Sequence, residues 1–164
     1  MTAQTTPALP DLEAHVARSL DAGGDGRYEA AVRGIASSFG AVTATLHRAD
    51  VGAEQLHLVA QLGLPPQIIA VTQQIPFGKG IAGLCAVQRE PVSLCNLQTD
   101  DSGKARPTAK QTGVAGAIAV PVFAPDGALA GVLGVGKLEE HTYTPEELGV
   151  LAACAGQIGK ALSA

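Results

Sequence analysis

Apolar positions recur every three or four residues in two stretches near the start of the chain and every second residue in the stretches that follow. That change of period predicts two helices leading into strands. Leu12, Val16 and Leu20 share one side of a helix over Asp11 to Ala22, which Gly23-Gly24-Asp25-Gly26 ends. Tyr28, Val32, Ile35 and Phe39 do the same over Arg27 to Phe39, with Gly40 placed to accept the last turn. Residues 1–10 ahead of them are expected to be a mobile arm, leaving one domain over residues 11–164.

Alternation then takes over. Val42, Ala44 and Leu46 oppose Thr43, Thr45 and His47, and Leu56, Leu58, Ala60 and Leu62 oppose His57, Val59 and Gln61, the pattern of a half-buried antiparallel pair. Gly63-Leu64-Pro65-Pro66 turns the chain into a short helical stretch through Ala70. A strand near Gln73 to Ile75, a glycine loop, a short helix from about Ile81 to Glu90 and a strand over Val92 to Asn96 follow. Leu97 to Gly113 has little periodicity and reads as a long excursion of the kind that forms lids and binding loops. Pro125-Asp126-Gly127 joins Ala117–Ala124 to Ala128–Lys137 as a hairpin, with Pro121 marking an edge or bulge position. Thr144-Pro145-Glu146-Glu147 supplies an N-cap, a first-turn proline and a capping-box acid for a last helix, whose stripe is Leu148, Leu151, Ala152, Ala155, Ile158 and Leu162. The fold class is therefore α+β with a largely antiparallel sheet.

Composition narrows the chemistry. Of the 164 residues 46% are apolar but only 3% aromatic, so the core is aliphatic and few rings can stack a base or a tetrapyrrole. A net charge of −4 with scattered basic residues argues against nucleic acid. No apolar run approaches a membrane span and no signal sequence opens the chain, so a cytoplasmic protein without membrane contact is expected. Cys85, Cys95 and Cys154 have no metal spacing and are expected as packing cysteines. His47 and His57 share strand parity as possible cross-strand neighbours, yet two ligands do not make a metal site, and both are expected half-exposed. His15 and His141 have no partner by sequence.

Gly78-Lys79-Gly80-Ile81-Ala82-Gly83 has the spacing of a dinucleotide loop, with Asp100 and Asp101 roughly where a ribose-binding acid should lie. The context contradicts it. Val71-Thr72-Gln73-Gln74-Ile75-Pro76-Phe77 is half polar and ends in a proline that cannot donate to a central ladder, and Pro91 stops the following helix too early for a crossover.

Together with Gln61-Leu62-Gly63-Leu64-Pro65, Arg89-Glu90-Pro91-Val92, Ala119-Val120-Pro121-Val122 and Gly131-Val132-Leu133-Gly134-Val135, the run Ile75 to Gly83 resembles the signature blocks of a GAF domain from about Arg27 to Leu162. The resemblance implies a central antiparallel sheet with the N- and C-terminal helices on one face. On the other face it implies a small-molecule pocket roofed by the short helix and the long loop. Its glycines would then serve a sharp turn and a close helix approach.

GAF domains serve many ligands, so each subclass is tested on its own residues. Free methionine-R-sulfoxide reductases look similar through the glycine loop but keep a cysteine where this chain has Ala82. Their attacking cysteine falls on Lys110, and their last-strand acids fall on Gly134 and Gly136. A thiolate and carboxylates are what that chemistry needs, which leaves only a displaced Cys85/Cys95 pair as the basis for a divergent reductase. Bilin-binding relatives need an aromatic pocket that this chain lacks. The acid and amide constellation of the cyclic-nucleotide binders cannot be placed.

The expectation is a stand-alone, non-enzymatic sensory GAF protein that binds an unidentified small organic ligand beneath the Leu97 to Gly113 loop. The resemblance places the ligand site at Phe77, Ile81, Cys85, Asn96, Asp100 and Arg106, with Lys79 and Arg106 available to an anion. The residues point to no catalytic group and no metal site, and they leave any cofactor unidentified. Small residues along Leu148 to Leu162 suit a homodimer through the terminal helices, and a separate output protein is the other route for a signal. A dimerisation module without a ligand is the remaining alternative.

Overall fold

In the computed structural model, which describes residues 6–164, the change of period falls where the sequence places it. Helices α1 (Leu12–Asp21) and α2 (Arg27–Phe39) precede strands β1 (Thr43–Asp50) and β2 (Gln55–Leu62). Then come α3 (Pro66–Thr72), β3 (Gln74–Pro76), α4 (Gly80–Gln88), β4 (Val92–Leu94), β5 (Gly116–Phe123), β6 (Leu129–Lys137) and α5 (Pro145–Leu162). All neighbouring strands pair antiparallel in one six-stranded sheet of order β3-β2-β1-β6-β5-β4. Of the arm expected at residues 1–10, residues 1–5 lie outside the described residues. Beyond them Ser38 donates to the Pro7 carbonyl at 2.7 Å and Leu9–Asp11 form a 3₁₀ turn.

The helix ends follow local chemistry. Gly40 closes α2 at φ 62°, a left-handed value that glycine adopts without steric penalty. Thr144 accepts from the Glu147 backbone N–H while Glu147 accepts from the Thr144 N–H, so the capping box of α5 is formed from both sides. The stripes of α1, α2 and α5 pack together on one face of the sheet, where Leu12, Val16, Ile35, Leu46, Leu133, Leu151 and Ile158 are fully buried; of the stripe expected on α5, Ala152 is instead exposed and Cys154 is buried.

Hydrogen-bonded register puts Leu46 opposite Ala60 but His47 opposite Leu58, leaving Val59 as the extra residue of a bulge. A one-residue slip exchanges the faces of a strand. Ala60 and Leu62 therefore pack toward the helices, while Leu56 packs on the opposite face with Ile75, Cys85 and Val132. The single alternating face expected from Leu56 to Leu62 is thus divided in two. The same slip sets Arg48, not His47, opposite His57.

Pro121 sits beyond the end of β4, which pairs only with Ala117 to Ala119, so its missing N–H is not needed on that side. A register shift follows at Val122 and Phe123. The excursion from Leu97 to Gly113 contains a 3₁₀ helix, Pro107–Thr112, that periodicity did not indicate. Gln98 closes this segment on itself, its Nε2 donating to the carbonyls of Lys110 at 3.0 Å and Val114 at 2.8 Å.

Candidate functional site

On the sheet face away from α1, α2 and α5 lies a cavity of about 150 Å³. Its floor is made by Thr43, Thr45 and His47 of β1, Gly134 and Gly136 of β6, and Ala117 and Ala119 of β5. Small residues on β5 and β6 leave the room. A Cβ at Gly134 would stand 2.6 Å from Thr45 Oγ1, and one at Gly136 would meet Thr43 Oγ1 and both Val114 methyls, at 2.8 and 2.9 Å. Glycine here lets the β1 threonines lie across the neighbouring strand. Ile68 and Thr72 of α3 form one wall, and Lys79 to Ala82 with Ala105, Arg106 and the 3₁₀ helix form the roof.

His47 is the most buried polar side chain of the site, 1% exposed. Its Nε2 lies 2.8 Å from the Thr72 carbonyl at the C-terminal end of α3, a helix-end acceptor that has no partner within the helix. A carbonyl only accepts, so Nε2 carries the proton. Desolvation lowers the pKa of the ring; the Thr72 bond opposes this less strongly and the proximity of His57 adds to the lowering. The neutral ring therefore presents Nδ1 as a lone pair, and that atom is buried without a partner.

Arg106 supplies the second unpartnered atom. The side chain lies across Gly80, where an added Cβ would be 3.0 Å from its Cγ and 3.2 Å from its Cδ, and Nη1 is buried with no acceptor. Gly80 itself has φ 66°, so the loop enters α4 through a left-handed residue. The N-cap residue Lys79 offers no side-chain bond to the helix. Gly83 N–H is satisfied by Lys79, but those of Gly80, Ile81 and Ala82 have no acceptor among the described residues.

None of the cysteines lines this cavity. Burial pushes the thiols of Cys85 and Cys154 up to about 12, with Glu13 contributing at Cys154, so both are protonated packing groups at neutral pH. Cys95 is exposed and its Sγ accepts from Thr142 Oγ1 at 3.6 Å.

The residues expected to hold a ligand are therefore not brought together as one set. Ile81 and Arg106 line the cavity, as does Lys79. Cys85 lies one helical turn beyond Ile81 and packs with Leu56, Val92, Ala119 and Val132, in a cluster that Phe77 also flanks. Asn96 donates to Glu140 at 2.7 Å and accepts from Gln98 N–H, and Asp100 accepts from the Ser102 N–H and hydroxyl. These four do not line the cavity. The half-exposed placing expected for His47 is also corrected, because α3 covers its face of β1. His141 has a partner that the sequence did not reveal: its Nε2 donates to the Glu147 carboxylate at 2.8 Å. No group of three or more His, Cys, Asp or Glu suited to a metal occurs among the described residues, and no helix there is long and apolar enough to cross a membrane.

Known structures share this architecture. The GAF domain of a phosphoenolpyruvate-protein phosphotransferase from Coxiella burnetii superposes with a TM-score of 0.81 at 20% identity, covering 98% of this chain and 95% of that one. The corresponding Acinetobacter domain gives 0.78 at 16% identity, with coverage of 94% and 92%. Free methionine-R-sulfoxide reductase from Neisseria meningitidis, in complex with its substrate, gives 0.75 at 20% identity over 99% and 93% of the two chains. At these identities the likeness speaks to the fold alone. Comparison with curated protein sequences yields no significant match. The family model for the GAF domain, however, matches residues 26–163, nearly all of the sheet and helices described above, and the chain belongs to the GAF domain family.

Proposed function

We propose that this chain is a small-molecule-binding regulatory domain without catalysis of its own. The observation that supports this is the cavity between sheet, α3 and α4, two of whose lining residues, His47 and Arg106, each carry a buried side-chain nitrogen without a protein partner. Leaving such groups unpaired opposes folding by roughly 1–3 kcal/mol each, so a site that keeps both gains when a bound molecule satisfies them. The apolar remainder of the wall suits burial of a short hydrocarbon body.

Binding is transmitted by the elements the ligand touches differently in the free and bound states. Those are the α4 roof and the Leu97 to Gly113 segment. From there a signal passes through the sheet to the terminal helices, where a second copy or a separate output protein reads it. A reductase is the competing function, and it needs a thiolate at the site. With Ala82, Lys110, Gly134 and Gly136 in the places where the resemblance puts thiols and acids, that function has no group at the cavity to carry it.

Native mass spectrometry of protein purified from its own host tests the proposal. A retained small molecule that is released on denaturation is expected, and a mass equal to the bare polypeptide in every preparation would leave an empty scaffold. Sulfoxide-dependent NADPH oxidation through thioredoxin, abolished by Cys85→Ser or Cys95→Ser, would replace the proposal with the reductase.

A further inference from the structure

Beside the sheet, a second path leads from the roof of the cavity to α5. Residues 138–144 join Lys137, the last residue of β6, to Pro145, the first of α5, without helix or strand of their own. They lie across Gly116, where a Cβ would stand 2.7 Å from the His141 Cβ and 2.9 Å from both the Glu139 carbonyl oxygen and the His141 nitrogen. Glycine admits that crossing, and any side chain would push it apart. The crossing is pinned from both strands beneath it. Gly116 N–H donates to the Glu139 carbonyl at 2.9 Å, His141 N–H donates to the Cys95 carbonyl at 3.0 Å, and the buried Tyr143 hydroxyl donates to the Gly116 carbonyl at 3.2 Å. Cys95 and Gly116 are the two sides of the neck from which the Leu97 to Gly113 excursion springs, drawn together by the Leu97 N–H on the Ala115 carbonyl at 2.7 Å.

Hydrogen bonds continue from this neck in both directions. Toward the roof, Glu140 accepts from Asn96 Nδ2 at 2.7 Å, a short bond to a charged acceptor. Asn96 Oδ1 holds the Gln98 N–H at 3.0 Å, and Gln98 Nε2 reaches the Lys110 carbonyl in the 3₁₀ helix that covers the cavity. Toward α5, the His141 ring donates to Glu147, the carboxylate that also accepts the Thr144 N–H in the capping box, and it packs edge-on against Tyr143 at 4.7 Å between centroids. A short segment fastened at both ends in this way cannot follow one partner without pulling on the other. Its contacts open and close as a unit with the elements they join.

We propose that residues 138–144 are a strap that couples the order of the Leu97 to Gly113 roof to that of the α5 N-terminus, so that steadying either one steadies the other. Coupling of this kind is reciprocal, which allows it to be tested from both ends. Its service as a route for a binding signal rests on the ligand-binding proposal, whereas the coupling itself is a property of the free chain.

Residue-resolved amide hydrogen exchange on the unliganded protein tests this. Each rate is taken relative to Ala30, whose N–H bonds to Gly26 in the first turn of α2, at the end away from the contact of Phe39 with Tyr143. Gln98→Ala alters the roof at a residue that makes no hydrogen bond to the strap, and it should speed exchange at Glu147 and Leu148, the amides held by Thr144, about threefold or more. Thr144→Ala alters the helix end and should do the same at Leu97 and Gln98. Tyr143→Phe keeps the buried ring and removes only the hydroxyl bonded to Gly116, so both pairs of amides should quicken together. This third variant decides the matter if either of the others does not fold. Effects confined to the altered end in the first two variants, no change at either pair in the third, or acceleration no greater than at Ala30 would overturn the inference. No ligand enters the experiment, so its failure would leave the ligand-binding proposal intact.

Discussion

Acidification from pH 7.5 to 5.5 should destabilise this protein through His47 specifically. In the unfolded chain a histidine takes up its proton near pH 6.5, whereas in the folded state desolvation holds the pKa of the 1%-exposed ring below that value. Between the two values the unfolded state binds more protons, so stability rises with pH there. The contribution is complete above about pH 6.5, falls as pH drops below it, and levels off once the folded pKa is passed. The slope is at most about 1.4 kcal/mol per pH unit, which limits the loss between pH 7.5 and 5.5 to about 1.4 kcal/mol. Urea unfolding of the natural protein and of His47→Gln at pH 7.5, 6.5 and 5.5 measures it, since every other titrating group is common to both. The stability difference, natural minus variant, should shrink as pH falls. A difference constant to within about 0.5 kcal/mol, the scatter of such extrapolations, would refute the assignment of His47 as a neutral buried ring.

Two further outcomes test the frame that carries the site. Thr144→Ala removes one half of the α5 capping box and should lower unfolding stability by about 1 kcal/mol; the Glu147 contribution, held by the Thr144 N–H and His141 against desolvation, should be present above pH 4.5 and disappear as pH falls through its lowered folded pKa, a loss that Glu147→Gln abolishes in an acid titration of stability. Gly159→Ala would drive a Cβ into the Phe123 carbonyl oxygen and to 2.8 Å from its carbon, so α5 must lift off β5 at a cost of about 2 kcal/mol or more, whereas Gly156→Ala, with nothing within 4 Å, should be neutral or stabilising by up to about 1 kcal/mol in the same melt.

Element types and order were legible because period and punctuation agree along most of the chain. Leu12, Val16 and Leu20, the Pro125-Asp126-Gly127 turn and the Thr144 to Glu147 cap each state one structure locally, and each is observed. What escaped the sequence is what depends on two segments at once. The bulge at Val59 exists only in the pairing of β1 with β2, so no pattern within β2 could divide Leu56 from Ala60. His47 reads as half-exposed because it alternates with Leu46, yet α3 closes over it, its Thr72 lying 25 residues downstream. A signal was present: with helices committed to one sheet face, the polar set Thr43, Thr45 and His47 had to line the other. Asn96 and Asp100 suit a ligand by chemistry alone, but the loop's own fold binds both Asn96 side-chain atoms to Glu140 and Gln98 and Asp100 Oδ2 to Ser102.

The glycine loop shows why a motif can be right about physics and wrong about identity. Its residues turn the chain sharply and bring a helix N-terminus close to other atoms: Gly78 N–H closes on the Gly83 carbonyl at 2.8 Å, and a Cβ at Gly83 would lie 2.6 Å from the Pro76 carbonyl. A dinucleotide loop uses the same device to approach a pyrophosphate. Here the group across the helix end is the stem of Arg106, delivered by a loop in which Gln98 bonds the carbonyls of Lys110 and Val114. Gly80 is therefore the residue on which backbone and site meet, because any side chain there would both strain a left-handed φ and displace the arginine stem. The spacing records the demand for close approach, and the partner across the gap decides what the approach is for.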